Sequence, residues 1–291
     1  MIKYVIDIGS NSCRLMKADY DGKSVRTIYK KLITARTGAG VNANHILSAD
    51  AIKRTRDAII ELNAIAKSED ENARPMCFAT SAVRDALNKD ELIQAIKADT
   101  GIDVDVISGQ AEGDIGFLGA VGRGNGGFID IGGCSTEIAQ GSGGVKSFIK
   151  SFDIGAVRAK DMFCDDVFKT QEYAEKLFKD LPRFSNEVFA VGGTCTTLAA
   201  MLLNLKEYDP ALIHGYVITQ PAAKMLLNKI LPLTTEQRAE LNGLEPKRAD
   251  IICHGAAILL AFFKASGAER ITVSESDNLE GYLLNKMTES C

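Results

Sequence analysis

Apolar and polar positions alternate along the start of the chain in a pattern that predicts three short strands. They cover residues 2–8, 14–20 and 24–33, and the dipeptide Asp21-Gly22 between the last two is typical of a hairpin turn. The chain is therefore expected to begin with a β-meander, in which neighbouring strands run antiparallel.

The pattern then changes to helices and strands in alternation. Apolar residues at near-helical spacing predict a helix from Ser48 to about Ala66. Residues 74–88 predict a strand, a Thr80-Ser81 cap and a helix, and "DVDVISG" predicts another strand before the helix "AEGDIGFLGAVG". Alternation of this kind indicates a layered α/β domain.

A second meander follows a glycine-dense segment, "GRGNGG" at residues 122–127, where a hinge or domain boundary is expected. Its first predicted strand ends at Asp130, and two more strands follow. "VIDIGSNS" and "FIDIGGCS" lie about 123 residues apart and open the two meanders in the same way. The sequence therefore predicts two related domains, residues 1–124 and 125–277.

Bulk composition narrows the class of protein. The chain has 291 residues, 46% of them hydrophobic, which is enough for two domains with large cores. No apolar run approaches the length of a membrane-spanning helix and "MIKYVIDIG" lacks the regions of a signal peptide, so a cytoplasmic protein is expected. Seven scattered cysteines without a C-x-x-C pair favour free thiols over disulfides or a zinc site. A net charge of −4 gives no general attraction for nucleic acid.

Three turns of small residues that directly follow apolar strands are candidate phosphate sites. Glycine leaves backbone N–H groups accessible, and the third turn also opens a helix, whose positive end attracts anions. Asp7 and Asp130, at the ends of the first two strands concerned, would repel a bare phosphate unless a metal ion or a water lay between. Taken alone, each turn is commonly a purely structural feature. The candidate residues are Ser10, Asn11, Ser12 and Cys13, then Gly132, Gly133, Cys134 and Ser135, and finally Gly192, Gly193 and Thr194.

Seven segments, taken in order, resemble the exopolyphosphatase and guanosine pentaphosphate phosphohydrolase family, within the superfamily of actin, sugar kinases and heat-shock ATPases. They are "VIDIGSNSCRLM", "FATSAVRDALN", "VISGQAEGDIGFLGA", "GGFIDIGGCSTEIAQG", "SFDIGAVRAKDMF", "AVGGTCTTLAAM" and "GLEPKRADIICHGAAIL". The resemblance implies an α/β fold of two ribonuclease-H-like (actin-like ATPase) domains with a cleft between them. It also implies that the last helix, about residues 278–291, packs back onto the first domain.

The same resemblance implies roles for individual side chains. Glu112 matches the general base that takes a proton from the attacking water, and Arg84 matches an arginine that grips phosphate. Asp130 and Glu137 match acids that hold Mg²⁺, for which Mn²⁺ is a possible substitute, and Asp7 is the corresponding acid of the first domain. Without the family, Glu112 would be interpreted as a helix cap, Glu137 as an exposed strand residue and Arg84 as a solvated helix residue.

Two positions depart from the family pattern. Arg14 stands where many long relatives have histidine or phenylalanine, although shorter ones also have arginine, and it is a further candidate for phosphate binding. Cys134 replaces a glycine of Gly-Gly-Gly-Ser, and we expect an ordinary φ there because a positive φ would strain cysteine. Neither Cys13 nor Cys134 is expected to be a nucleophile. His254, in a predicted core helix, is expected to be a hydrogen-bonded interior residue.

These residues together predict hydrolysis of a terminal phosphoanhydride. Inorganic polyphosphate is the favoured substrate, and shorter chains are expected because longer relatives continue with a helical region where this sequence stops at Cys291. Guanosine pentaphosphate is the alternative substrate, and a non-hydrolytic nucleotide or alarmone-binding regulator is a further alternative that the retained Glu112 disfavours. No nucleic-acid or membrane partner is expected, and a homodimer is expected by analogy only. Candidate contacts for the polyanion are Lys30, Lys31, Arg36, Lys146, Lys150, Arg158, Lys247 and Arg248.

Overall fold

The first lobe is an open sheet with helices packed on it. The computed structural model describes residues 1–143 and 145–289, apart from the side chains of residues 42 and 43, so Cys291 lies outside the described residues. Within that part of the chain, the first sheet has the strand order β3-β2-β1-β4-β5. The elements in chain order are β1 (Ile2–Ile8), β2 (Cys13–Tyr20), β3 (Val25–Ile33), α1 (Val41–Asn44), α2 (Ala49–Glu69), β4 (Met76–Ala79), α3 (Ser81–Arg84), α4 (Lys89–Thr100), β5 (Val104–Val106) and α5 (Gly109–Ala120).

The second lobe is built on a second sheet, with the order β10-β11-β9-β6-β7-β8. Its elements are β6 (Gly126–Ile131), β7 (Thr136–Ser142), β8 (Val145–Phe152), α6 (Ala156–Phe163), α7 (Val167–Leu177), β9 (Val188–Val191), α8 (Gly192–Leu202), α9 (Pro210–Ile213), β10 (Val217–Thr219), α10 (Gln220–Ile230), α11 (Thr235–Ala239), a 3₁₀ turn (Pro246–Arg248), α12 (Ile252–Ser266) and β11 (Arg270–Val273). The chain then closes with α13 (Asn278–Glu289).

Five strands of each sheet share one topology, as the similar openings of the two meanders predict, and in the second sheet β10 adds an antiparallel strand beside β11. In each sheet an antiparallel meander, β1-β2-β3 or β6-β7-β8, is extended on the other side of its first strand by parallel strands. Parallel pairing brings the carboxyl ends of neighbouring strands to one edge of the sheet, where ligands commonly bind. Both strand-end glycine turns therefore lie at equivalent places in the two lobes.

The predicted helix within residues 74–88 is only one turn long. The hydroxyl of Thr80 makes no cap hydrogen bond, and α3 ends at Arg84. Four residues later the Asn88 side chain is bonded on both sides to the backbone of Leu47, with Oδ1 accepting from the amide at 2.8 Å and Nδ2 donating to the carbonyl at 3.0 Å. This tertiary pairing holds Asn88 outside a continuous helix, so the helical sequence is split into α3 and α4.

The core of the second lobe surrounds α12, whose residues are almost all buried. His254 on this helix is 1% exposed, and its Nδ1 forms a 2.8 Å hydrogen bond with the hydroxyl of Thr170. Burial lowers the pKa of His254 to about 4, so the imidazole stays neutral. The expectation of a hydrogen-bonded interior histidine is confirmed. In the described residues, no helix is both long enough and apolar enough to cross a bilayer.

Helix α13 returns from the second sheet and packs on the first lobe. Leu279, Tyr282 and Leu283 join a cluster with Val5 and Phe78 of the first sheet. The crossing of α13 and α5 is so close that glycine is required on both helices. A Cβ on Gly281 would lie 1.7 Å from the Ile115 carbonyl oxygen, and one on Gly119 would lie 2.0 Å from the Asp277 carbonyl oxygen.

Replacing Gly281 with alanine should destabilise the protein. Alanine inside a helix is intrinsically better than glycine by ~1 kcal/mol, so an unconstrained site would gain stability. Here the methyl group overlaps the Ile115 carbonyl, and overpacking of this kind costs ~1–3 kcal/mol, so we expect Gly281→Ala to lower the free energy of unfolding. Urea denaturation measures the change, with Asn285→Ala on the same helix as the control. A stability equal to that of the parent would contradict the steric explanation.

Candidate active site

A cavity of about 760 Å³ lies between the two lobes, and it collects most of the residues that the sequence singles out. Four of the predicted residues, Arg84, Cys13, Cys134 and Glu137, lie outside its lining. The predicted residues that line the cavity are Asp7, Ser10, Asn11, Ser12, Arg14, Glu112, Asp130, Gly132, Gly133, Ser135, Gly192, Gly193 and Thr194.

The turns that follow β1 and β6 have the same geometry. Gly9 donates its N–H to the Ser12 carbonyl at 3.1 Å, and Gly132 donates its N–H to the Ser135 carbonyl at 3.0 Å. The two turns face each other closely, because a Cβ on Gly133 would lie 2.8 Å from the Cβ of Ser10. Backbone amides from both lobes therefore border the same space.

Both cysteines of these turns are fully buried. Cys134 does not have a positive φ, as expected. Burial raises the pKa of the Cys134 thiol to about 11, and burial together with the negative charge of Asp7 raises the pKa of Cys13. A protonated, inaccessible thiol is a poor nucleophile, which supports the expectation that neither cysteine attacks the substrate.

The acid at the end of β1 is neutralised by its neighbour on β2. Asp7 faces Arg14 in the strand register, and Arg14 donates to Asp7 Oδ2 from Nε at 3.0 Å and from Nη2 at 2.5 Å. The remaining Nη1 of Arg14 donates to Asp277 Oδ2 at 2.5 Å. Arg14 thus lines the cavity, as predicted for a phosphate contact, but its guanidinium is already held by two carboxylates.

The corresponding acid of the second lobe has an acid for its neighbour. Asp130 faces Glu137 across β6 and β7. Asp130 Oδ2 accepts a 3.1 Å hydrogen bond from Asn278, and burial raises its pKa to about 7 although Arg14 opposes the shift. Glu137 Oε1 accepts from the Ser151 hydroxyl at 2.6 Å, and burial together with the charges of Glu112 and Asp130 raises its pKa well above the ordinary range.

Glu112 lies at the start of α5, where the Ser108 hydroxyl caps the helix. Its Oε2 accepts a 2.9 Å hydrogen bond from Nη1 of Arg84, and the same nitrogen donates to the Ile107 carbonyl at 3.2 Å. Burial raises the pKa of Glu112 to about 7, while Arg84 opposes the shift. A carboxyl with a pKa near neutrality can both take and release a proton, as a general base requires.

The third turn joins β9 to α8 and touches the second-lobe acid. Gly192 has a φ of +80°, and a Cβ there would lie 2.1 Å from Asp130 Oδ1, so glycine is required on both counts. Arg248 covers the next residue, because a Cβ on Gly193 would lie 1.6 Å from its Nη1. Its Nε donates to Glu245 Oε2 at 3.1 Å, which leaves the guanidinium over the helix N-terminus.

Arg248 is a site residue whose role the sequence signals only weakly. It belongs to a short basic cluster next to Lys247, and such clusters are commonly solvated. The arrangement over Gly193 places a cation beside the free N–H groups of α8, where an anion is favoured by both.

Most of the other basic residues predicted to contact a polyanion are paired with acids of the protein. Lys30 contacts Asp277 and Glu280, and only Lys30, Lys31 and Arg248 of the predicted set line the cavity. Lys150 lies over the Phe152 ring. The remaining ion pairs are Arg36 with Asp250, Lys146 with Asp114, and Arg158 with Asp85.

The acids of the cavity fit a magnesium ion that keeps part of its water shell. Within residues 1–143 and 145–289, no three His, Cys, Asp or Glu side chains gather into an all-protein metal site. Mg²⁺ is usually held by one or two carboxylates, with waters and substrate phosphates in the other positions. Asp7 Oδ1 and Glu137 Oε2 are buried without a hydrogen-bond partner among the described residues, so hard oxygen donors are available.

Residues 17–290 match the Ppx/GppA phosphatase family. The chain belongs to this family. It is 34% identical to the bifunctional 3-dehydroquinate synthase/phosphatase of Fusobacterium nucleatum, covering 96% of this chain and 46% of that protein. It is also 32% identical to exopolyphosphatase 2 of Mycobacterium tuberculosis, covering 96% of this chain and 97% of that protein. The resemblance and the phosphatase class predicted from the sequence are thereby confirmed.

A solved structure supports the same assignment. The Ppx/GppA family member of Aquifex aeolicus superimposes with a TM-score of 0.82 at 28% identity, over 100% of this chain and 98% of that one. The predicted two-domain actin-like fold is therefore confirmed. The chain spans about half the length of the Fusobacterium relative but nearly all of the mycobacterial one.

Removing the charge of Glu137 should stabilise the metal-free protein at alkaline pH. The pKa of Glu137 is raised in the folded state, so its ionised form opposes folding. This cost is absent below the ordinary pKa of the unfolded chain and grows as pH rises. In chelator, we expect Glu137→Gln to melt several degrees above the parent at pH 8 and close to it near pH 5. The exposed Glu207→Gln is the control, and a difference that does not increase with pH would contradict the assignment.

Proposed function

We propose that this protein is a Mg²⁺-dependent exopolyphosphatase that hydrolyses the terminal phosphoanhydride of inorganic polyphosphate. One observation carries the proposal. The Glu112 carboxyl lines a cavity that is also bordered by glycine turns from both lobes, and it is held there by Arg84. A base, a cation that contacts it and the backbone of glycine turns beside one cavity are parts that phosphoryl transfer to water requires.

Each residue of the site has a separate role in this reaction. Glu112 accepts the proton of the attacking water, and Arg84 orients its carboxylate. Amides other than Gly132 N–H in the turn after β6, and those at the start of α8, offer hydrogen bonds to phosphoryl oxygens, and Arg248 adds a cation beside the third turn. Bound Mg²⁺, held by Asp130 and Glu137 or by waters on them, would supply positive charge to the developing transition state. Asp7, Asp130 and Glu137 are acids that without a cation would repel the substrate.

Guanosine pentaphosphate is the second candidate substrate, and the outer cavity favours it. Ile28, Leu32 and Tyr208 line this part of the cavity and are about half exposed. A bare polyphosphate makes no use of apolar or aromatic side chains, whereas a nucleoside can pack against them. These three side chains therefore favour guanosine pentaphosphate over polyphosphate, although the catalytic groups can act on both.

Chain-length preference, cellular location and assembly are further properties that the sequence predicts. A preference for shorter chains, a cytoplasmic location and a homodimer stay predictions, as does the absence of nucleic-acid and membrane partners. The paired state of Lys30 and Arg14 supports a limited grip on long polymers, because a cation already held by carboxylates attracts a polyanion less strongly.

The proposed function is tested by phosphate release from polyphosphates of defined length and from guanosine pentaphosphate, assayed side by side. We expect release from polyphosphate with Mg²⁺ and none with chelator. Release from guanosine pentaphosphate alone would replace the first candidate with the second. No release from either substrate would refute the hydrolase.

Glu112→Gln should keep the shape of the site and lose most of the turnover, by a factor of ~10²–10⁴. Since the base works when ionised, parent activity should rise with pH, and the metal-free pKa of about 7 is the upper bound for the midpoint of that rise. Arg84 lowers this pKa, whereas Asp7, Asp130 and Glu137 raise it. A cation on these acids should move the rise to lower pH. The matched control is Asp114→Asn, which lies on the same helix outside the cavity. Turnover of Glu112→Gln within a few-fold of the parent would show that Glu112 is not the general base.

A further inference from the structure

The start of α13 places one more polar side chain against the second-lobe acid. Asn278 is 3% exposed, lines the cavity and donates Nδ2 to Asp130 Oδ2 at 3.1 Å. It lies 148 residues away from Asp130 along the chain, and the family resemblance implies no role for it. Asn278 therefore makes a buried contact with an acid that the proposed function assigns to the cation.

Asn278 is held by the first lobe, although the acid it contacts belongs to the second. The preceding residue, Asp277, accepts from Arg14 Nη1 at 2.5 Å and lies 3.3 Å from Lys30 Nζ. Glu280, two residues after Asn278, accepts a hydrogen bond from the Thr27 hydroxyl at 2.5 Å. Strands β2, which carries Arg14, and β3, which carries Thr27 and Lys30, thus fix the start of α13, from which Asn278 reaches across the cleft.

The crossing of α13 with α5 adds a second restraint. A Cβ on Gly116 would lie 2.5 Å from Asn278 Oδ1, so the amide packs directly on the helix that carries Glu112. The amide cannot turn over without bringing Oδ1 against the Asp130 carboxylate, where two acceptors would meet. Glu112 on α5 and Asn278 on α13 therefore lie on two helices that pack directly against each other.

The other half of the Asn278 amide argues against a purely structural role. Its Oδ1 is buried without a hydrogen-bond partner among the described residues. Burial of an unpaired polar atom costs ~1–3 kcal/mol, which an apolar side chain of similar size would avoid. The residue is thus a poor choice for stability and a good one for donating a hydrogen bond to Asp130.

We propose that Asn278 is a positioning residue, which holds Asp130 in the orientation that binds the divalent cation. This inference rests on the proposed function, because that function assigns the cation to Asp130. Side chains that orient a metal-binding carboxylate from behind typically change metal affinity ~10–100-fold when they are removed. The expected signature is weaker cation binding with little change in the KM for substrate.

The test is a titration of the metal-free full chain with Mn²⁺, followed by the electron paramagnetic resonance signal of free Mn²⁺, without substrate. We expect Asn278→Ala to weaken Mn²⁺ binding by ~10-fold or more. Asn285→Ala makes the same change on the same helix, away from the cavity lining, and should bind Mn²⁺ as the parent does. Thermal unfolding of both variants reports whether each is folded.

The outcomes are distinct. Affinity of Asn278→Ala within twofold of the parent would overturn the proposal, even if activity fell. Should Asn278→Ala fail to fold, Asn278→Ser takes its place, because its shorter hydroxyl cannot span the same distance, and parent-like binding by that variant would overturn the proposal equally. A parent that binds no Mn²⁺ would also overturn it, whereas Mg²⁺-dependent phosphate release by that parent would leave the proposed function standing.

Discussion

The structure depends on keeping several carboxylates buried in one cleft. Asp7, Asp130, Glu112 and Glu137 are each at most 7% exposed, and the pKa of every one of them is raised by burial. Carboxylates that share one buried site disfavour one another's ionised form, so the folded chain carries an unfavourable electrostatic term here. The extensive apolar cores of the two lobes offset that term.

The repeated meander explains how the negative charge is distributed. Arg14 and Glu137 occupy the same place in the two lobes, each facing the strand-end acid across the first hairpin. One lobe therefore has an acid paired with a cation, and the other has two adjacent acids. The proposed divalent cation would therefore have more negative charge to offset in the second lobe, because Asp7 already shares its charge with Arg14. The two lobes thus share a frame, and the residue at one equivalent position in β2 and β7 makes them chemically different.

The features that the sequence predicts well are those encoded within a few residues. The strands, the glycine turns and the acids at the strand ends all follow from local patterns, and so does the helix start at Glu112. By contrast, Asn278 reaches the site from a distant segment that has no pattern pointing to it, and Arg248 is signalled only by a short basic cluster. The short length of α3 is missed for the same reason, because it depends on a contact between residues distant in the sequence. Asn88 pairs with Leu47, and local helix propensity does not encode that contact.

The shape of the cleft bears on which phosphate is attacked. Gly133 lies against Ser10 at the turns, and the ion pairs Arg158–Asp85 and Arg36–Asp250 join the lobes at 2.7 Å and 3.0 Å. The lobes are thus joined by several direct contacts, which limit the paths along which a polymer could run between them. A linear polymer can insert one end into such a space more readily than it can pass through it. This geometry favours cleavage of the terminal phosphate over cleavage within the chain, independently of what the outer wall recognises.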